Sequence, residues 1–216
     1  MRSFLFVPGD STRKFESAKK TAADALILDL EDSIAPDQKV VARGITREML
    51  DARNPEQKLY IRVNALDTDL TLGDLAAVMP GKPDGIVLPK CAGAADVNKL
   101  ALYLDAFEAA SGIAQGTTRI ITVATETARA VLKILDFENM SPRLWGMMWG
   151  AEDLAASLGA TRNRTDGRYH SPFILARDLC LIGAAAAAVV AIDTIATDIN
   201  DLDARSEERR VGKECR

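Results

Sequence analysis

The sequence predicts an α/β fold: a TIM-type (β/α)8 barrel, represented here by about seven strands. Three observations predict it. Short apolar runs alternate with helix-like segments seven times along the 216 residues. The runs are apolar on both faces, as in a parallel sheet covered by helices. Nearly all of them end in polar or special residues: "PGD", "DLEDS", "RVN", "PK", "TE", "GAED" and "ATD". In a barrel those ends converge on one face, where active sites lie. An open doubly wound sheet is the competing architecture. No GxGxxG or GxxxxGKS/T follows any run, which weighs against its nucleotide-binding forms.

The elements follow in order. "SFLFVPGD" is the first run; it breaks at Pro8-Gly9, read as a tight turn, and Asp10 or Ser11 caps the next helix. "ALILDLEDS" precedes the helical "APDQKVVARGITREML", with Pro36 in its first turn and Val41, Ile45 and Met49 spaced by four. "KLYIRVN" precedes "DLTLGDLAAVM", and "DGIVLPK" precedes "AADVNKLALYLDAFEAA". "RIITVATET" leads to "ARAVLKILDF", and "RLWGMMWGAED" to "LAASLG", its Met147-Met148-Trp149 stripe reading as core. A polar loop, Ala160 to His170, precedes the long helix "SPFILARDLCLIGAAAAAVV", and "AIDTIATD" is the seventh run. Residues 205–216, "RSEERRVGKECR", carry eight charged side chains and no apolar period, so they cannot supply an eighth strand. The expected organisation is a barrel domain over 1–204, cut after its seventh strand, and an unrelated charged tail over 205–216. A charged surface helix is the alternative for that tail.

Composition narrows the function. Hydrophobic residues make up 48% and charged residues 27%, enough for a sizeable core. The net charge of −4 argues against nucleic acid as a partner. The longest apolar stretch, Leu179 to Ile192, is too short for a membrane span. Three scattered cysteines with no CxxC point to a reducing cytoplasm. With one histidine, His170, a Ser-His-Asp triad or a multi-histidine metal site is nearly excluded. Any metal would be oxygen-bound, hence magnesium or manganese.

Several strand-end residues carry chemistry. Glu126 ends the fifth run and Asp153 follows the sixth, so adjacent strands bring two carboxylates to the barrel mouth. Two carboxylates plus waters and substrate oxygens are what magnesium usually takes; helix-start acids are the other reading. Glu152 reads as a cap or a supporting group. Arg62 and Asn64 lie two apart and share a face. Arg62 could fork onto a substrate carboxylate or onto a structural acid at the mouth. Asp29 and Glu31 share one face of the second run and Asp32 takes the other. Arg13 and Lys14 stand at a helix start, suited to phosphates or simply exposed, and Lys90 adds positive potential for substrate binding at the mouth.

The motifs "RSFLFVPGD", "ALILDLEDSIAPDQK", "YIRVNALDT", "GIVLPK", "VATET" and "WGAEDLAASLG" occur in this order. From Arg2 to about Asp203 the sequence resembles the citrate lyase beta-subunit and malyl-CoA lyase family, within the HpcH/HpaI aldolase/citrate lyase superfamily. The resemblance implies a magnesium-dependent barrel, with manganese as a possible substitute, that cleaves or forms carbon–carbon bonds in acyl-CoA esters of hydroxy acids. It implies that Glu126 and Asp153 ligate the metal, and that Arg62 binds the oxo-acid portion and stabilises the enolate. It places Glu31 and Asp32 near the metal waters, and part of the CoA nucleotide near Arg13 and Lys14. It also implies a homo-oligomer, a trimer or hexamer. In several relatives a C-terminal segment or a neighbouring subunit completes the site, and no such segment is recognised here. "TETARAVLKI" also departs from the Gly-Val that relatives carry after Glu-Thr.

The expected reaction is cleavage of a 3-hydroxy-acid acyl-CoA thioester, such as citramalyl-, malyl- or citryl-CoA, into an acyl-CoA and a 2-oxo acid. The alternatives are an aldolase on free 2-oxo acids, a CoA thioester hydrolase, and a non-catalytic barrel.

Overall fold

The structure, a computed structural model, describes residues 1, 3–137 and 140–195. Its strands are β1 (Phe4–Pro8), β2 (Ala25–Asp29), β3 (Lys58–Arg62), β4 (Gly85–Leu88), β5 (Arg119–Val123), β6 (Leu144–Met148), β7 (Arg164–Thr165), β8 (Arg168–Tyr169) and β9 (Val190–Ile192). The first six and β9 form one parallel sheet in sequential order, while β7 and β8 form a separate antiparallel hairpin. The helices are α1 (Thr12–Ala18), α2 (Lys39–Asp51), α3 (Thr71–Val78), α4 (Ala94–Ala110), α5 (Ala128–Leu132), α6 (Glu152–Ser157) and α7 (Ser171–Ala186). The seven expected parallel strands are all present. The end of the seventh run, the expected boundary at 204 and the charged segment 205–216 lie outside the described residues.

The sheet curls. A flat sheet would hold β1 and β6 about 24 Å apart, five strand spacings. Instead the ring of Phe4 on β1 lies 6.1 Å from that of Trp145 on β6 and 5.9 Å from Tyr60 on β3. These rings cap a concave core of Ala25, Ile27, Val87, Ile121, Val123 and Met148. The alternate residues of the same strands, such as Leu26, Leu28, Ile61, Ile86 and Ile120, face outward into a second core beneath the helices. Two-sided burial explains why the strands read as unbroken apolar runs rather than alternating ones.

Helix α4 shows the packing pattern. Val97, Leu100, Ala101, Leu104 and Glu108 recur at helical spacing and are buried against the sheet. Helix α2 departs from the expected stripe. Its buried residues are Ala42, Thr46, Met49 and Leu50, while Val41 is exposed. The Thr46 hydroxyl donates to the carbonyl of Gly9 at 2.9 Å, and this contact sets which face turns inward. Gly9 itself serves that close approach, because a Cβ there would lie 2.5 Å from Thr46 Oγ1 and 2.8 Å from the Asp29 carbonyl oxygen.

The expected polar loop from Ala160 to His170 contains the β7–β8 hairpin. Its two-residue turn is Asp166-Gly167, with φ of 50° and 76°. Asp-Gly is the turn dipeptide of tight hairpins, because both central residues need positive φ. The hairpin edge packs on the segment that follows β6: Tyr169 meets the Trp149 ring edge-on at 5.1 Å.

Candidate active site at the strand ends

The C-terminal ends of β2 to β6 carry a connected set of charges. Asp29, the last residue of β2, is the register partner of Arg62, the last residue of β3. The guanidinium donates from Nε to Asp29 Oδ1 and from Nη2 to Oδ2, each at 2.7 Å. It also lies over the Phe6 ring, 5.0 Å from its centroid, which places it on the concave face of the sheet. The third nitrogen, Nη1, points to Glu31 Oε2 at 3.3 Å and Asp32 Oδ2 at 3.5 Å. Strand alternation stops at Asp29, so Glu31 and Asp32 both turn toward Arg62 instead of taking opposite faces.

Lys90 follows β4 and reaches two ways. Its ammonium lies 2.6 Å from Glu31 Oε1 and 3.8 Å from Asp32 Oδ1. Its main-chain N–H donates to Glu126 Oε2 at 2.5 Å. That bond needs a left-handed backbone at Lys90, φ 51°, which costs a non-glycine residue about 1–3 kcal/mol. Glu126 follows β5 just before Thr127, whose hydroxyl caps α5; it is 4% exposed and takes no part in the cap. Gly150 makes room for it, since a Cβ at 150 would lie 2.6 Å from Glu126 Cγ. Asp153 sits in the first turn of α6, close enough to Glu126 for its charge to be felt there. Glu152 shares that first turn and accepts from Asn163 Nδ2 at 2.9 Å, tying the hairpin segment to α6.

The protonation balance reflects crowding. Burial lifts the Glu126 carboxyl, and the neighbouring charges of Asp153 and Glu31 add to it, against the Lys90 N–H and Arg62; it is pushed up to about 8. Burial also raises Glu31, in spite of Lys90 and Arg62. For Asp29 burial acts upward too, but the Arg62 fork and the N–H of Glu31 outweigh it, and its pKa is lowered. Burial opposes the charge on Lys90, yet its bond to Glu31 and the nearby acids hold the ammonium above the ordinary lysine value.

Five acids, Asp29, Glu31, Asp32, Glu126 and Asp153, thus face two bases, Arg62 and Lys90. Glu31 Oε2 is buried and accepts no hydrogen bond. Surplus negative charge and a buried carboxylate oxygen without a hydrogen bond are what a divalent cation relieves. Among the described residues no group of three or more His, Cys, Asp or Glu side chains forms a ready cage. A site offering one or two carboxylates, with water and substrate in the remaining positions, would suit magnesium and not a structural zinc.

The sequence-predicted Glu31, Asp32, Arg62, Lys90, Glu126 and Asp153 come together here. Arg13 and Lys14 do not join them: both are exposed on α1 and enter none of these bonds. Asn64 lies beyond β3 and belongs to a supporting network, donating to Asp74 Oδ2 at 2.7 Å and accepting from Lys39 Nζ at 2.8 Å. Sequence reasoning missed Asp29 as the partner of Arg62 and the amide of Lys90 as a donor. Equal positions at the ends of neighbouring runs were the available signal for Asp29; nothing in the residue types announces the Lys90 amide.

The profile of the family described as HpcH/HpaI aldolase/citrate lyase matches residues 2–214. The chain belongs to that family. It is 32% identical over 214 residues to a (3S)-malyl-CoA thioesterase of Cereibacter sphaeroides, covering 99% of this chain and 69% of that protein. It is 35% identical over 208 residues to a citrate lyase subunit beta-like protein of Mycobacterium tuberculosis, covering 96% of this chain and 68% of that one. The crystal structure of CitE from M. tuberculosis in complex with magnesium, acetoacetate and coenzyme A superposes with a TM-score of 0.81 at 34% identity, over 97% of this chain and 71% of that chain. Family membership makes this a lyase-type enzyme fold, and the α/β barrel class agrees with that of CitE.

Proposed function

We propose that this chain is a magnesium-dependent carbon–carbon lyase, with manganese as a possible substitute. Its substrate would be a 3-hydroxy-acid acyl-CoA thioester of the citramalyl, malyl or citryl kind, cleaved to an acyl-CoA and a 2-oxo acid. The observation that carries this reading is the buried Glu126 beside Asp153 at the ends of adjacent strands, next to Arg62 and Lys90. Glu126 and Asp153 would hold the metal, which when bound supplies Lewis-acid polarisation of the substrate oxygens. Arg62, locked by Asp29, keeps a fixed positive charge at the mouth without reorganising, and Nη1 is its edge toward the acids. Loss of the substrate hydroxyl proton breaks the bond between the hydroxyl-bearing carbon and the carbon alpha to the thioester. The electron pair passes to the thioester enolate, and the enolate takes up a proton to give the acyl-CoA. In this reading Glu31 or Asp32 would move these protons. Arg13 and Lys14, on the helix after β1, are exposed cations suited to the nucleotide of CoA.

The reading includes residues 1–204 as the catalytic barrel, a homo-oligomeric assembly and a reducing cytoplasm. The buried free thiols of Cys91 and Cys180 support the last of these. A thioesterase is the second reading, favoured by the C. sphaeroides relative. One assay separates them. The protein is incubated with magnesium and each of citramalyl-, malyl-, methylmalyl- and citryl-CoA, and both 2-oxo acid and free thiol are followed. Lyase activity yields 2-oxo acid with no free thiol; free CoA without 2-oxo acid would overturn the lyase reading.

A further inference from the structure

Lys90 stands out in the site because its two polar groups serve two different acids. Its amide fixes Glu126, and its ammonium holds Glu31 by Oε1, while the buried Oε2 accepts no hydrogen bond and faces only the Arg62 Nη1 charge at 3.3 Å. A cation placed among strand-end acids to bind substrate would be free to approach substrate; the Lys90 ammonium is instead spent on Glu31 at 2.6 Å and leans toward Asp32. Without it, Glu31 would keep only the longer Arg62 contact, as a third buried carboxylate near Glu126, where its charge is already felt.

We propose that Lys90 is a specificity-determining positioning residue that withholds Glu31 from the metal, so that the ion meets two carboxylates and not three. The proposal rests on the metal-binding reading given above. Magnesium keeps several waters and takes one or two carboxylates, whereas calcium accepts six to eight oxygens from more acidic, more flexible sets. A lysine that neutralises and restrains the third acid therefore selects the smaller ion. The same lysine also repels any cation through space, but that effect acts on both ions alike.

The test measures magnesium and calcium affinity by calorimetry for the unmodified chain, Lys90→Met and the double variant Lys90→Met/Glu31→Gln. Methionine keeps the main-chain N–H and the bulk of the side chain while removing the charge. Lys90→Gly, which adopts the left-handed backbone without strain, serves as the second probe should Lys90→Met fold poorly, and thermal melts confirm folding of each. Calcium should gain on magnesium by about tenfold or more in both single variants, because Glu31 is released to the ion. The double variant should return the ratio to near that of the unmodified chain. Equal changes for both ions, or a shifted ratio that persists in the double variant, would overturn the proposal. Absence of magnesium binding by the unmodified folded chain would overturn the metal-binding reading and this proposal with it; magnesium binding with an unmoved ratio overturns this proposal alone.

Discussion

Arg62 and Asp29 face each other across adjacent parallel strands and are joined by two parallel bonds of 2.7 Å. The pair is nearly enclosed, so each charge depends on the other. Arg62→Lys keeps the charge but replaces the fork by a single point contact. We predict a loss of about 1–3 kcal/mol of stability, in the range for a buried charged bond left partly unmade. Urea denaturation of the metal-free protein measures it. An unchanged midpoint would mean that the fork contributes nothing net, as buried pairs sometimes do.

The proposed metal pair gives a second expectation. Glu126→Gln and Asp153→Asn should each weaken magnesium binding by about tenfold or more. Neither should unfold the chain, because Glu126 is a crowded buried acid whose neutral amide avoids the repulsion from Asp153 and Glu31. Calorimetry with circular dichroism checks both halves; folded variants of undiminished affinity would rule out these ligands.

Gly150 predicts an indirect effect on the same site. Its added Cβ in Gly150→Ala would meet Glu126 Cγ at 2.6 Å and Val123 Cγ1 at 3.2 Å, so Glu126 must shift. Magnesium affinity should fall severalfold although no ligand is removed, since ligand geometry tolerates little displacement. Affinity equal to that of the unmodified chain would show that Glu126 has room to spare.

Part of the acid stability should come from the other end of the strands. Glu108 of α4 is fully buried and receives Arg143 Nη1 and Nη2 at 2.8 and 2.6 Å, with the N–H groups of Thr118 and Gly116 each at 2.8 Å. Burial acts to raise its pKa, but these donors outweigh it and bring the value down from 4.5 to about 2. A carboxyl with a lowered folded pKa stabilises the protein above its unfolded value and loses that contribution as pH falls. The loss should therefore run from about pH 4.5 down to about pH 2. Denaturation midpoints of the unmodified chain and Glu108→Gln, followed across that window, should converge toward its acid end. A difference independent of pH would contradict the assignment.

The legibility of this molecule in its sequence divides along physical lines. The central parallel strands announce themselves, because burial on both faces leaves runs such as "ALIL" with no polar interruption, whereas the edge strand β9 is largely exposed. Glu126, Arg62 and Lys90 are legible as polar residues at or just after strand ends for the same reason: the run must stop near where they begin; Asp153 is legible as an acid at a helix start. Partnership is less legible. That Arg62 spends its fork on Asp29 depends on inter-strand register, which no single segment encodes. The β7–β8 hairpin was encoded plainly in Asp166-Gly167, but two-residue strands leave no periodicity to confirm the turn. The exposure of Val41 on α2 depends on Thr46 reaching Gly9, a contact 37 residues away in sequence.

Strands β5 and β6 carry the Arg143–Glu108 lock near one end and Glu126 with Asp153 beyond the other. Five residues of strand span about 17 Å, beyond the roughly 7–10 Å within which substitutions usually couple. Changes made at the two ends should therefore combine additively. A protein engineer could harden this barrel from below, through α4 and the strand entrances, and reshape substrate choice from above, with neither alteration taxing the other.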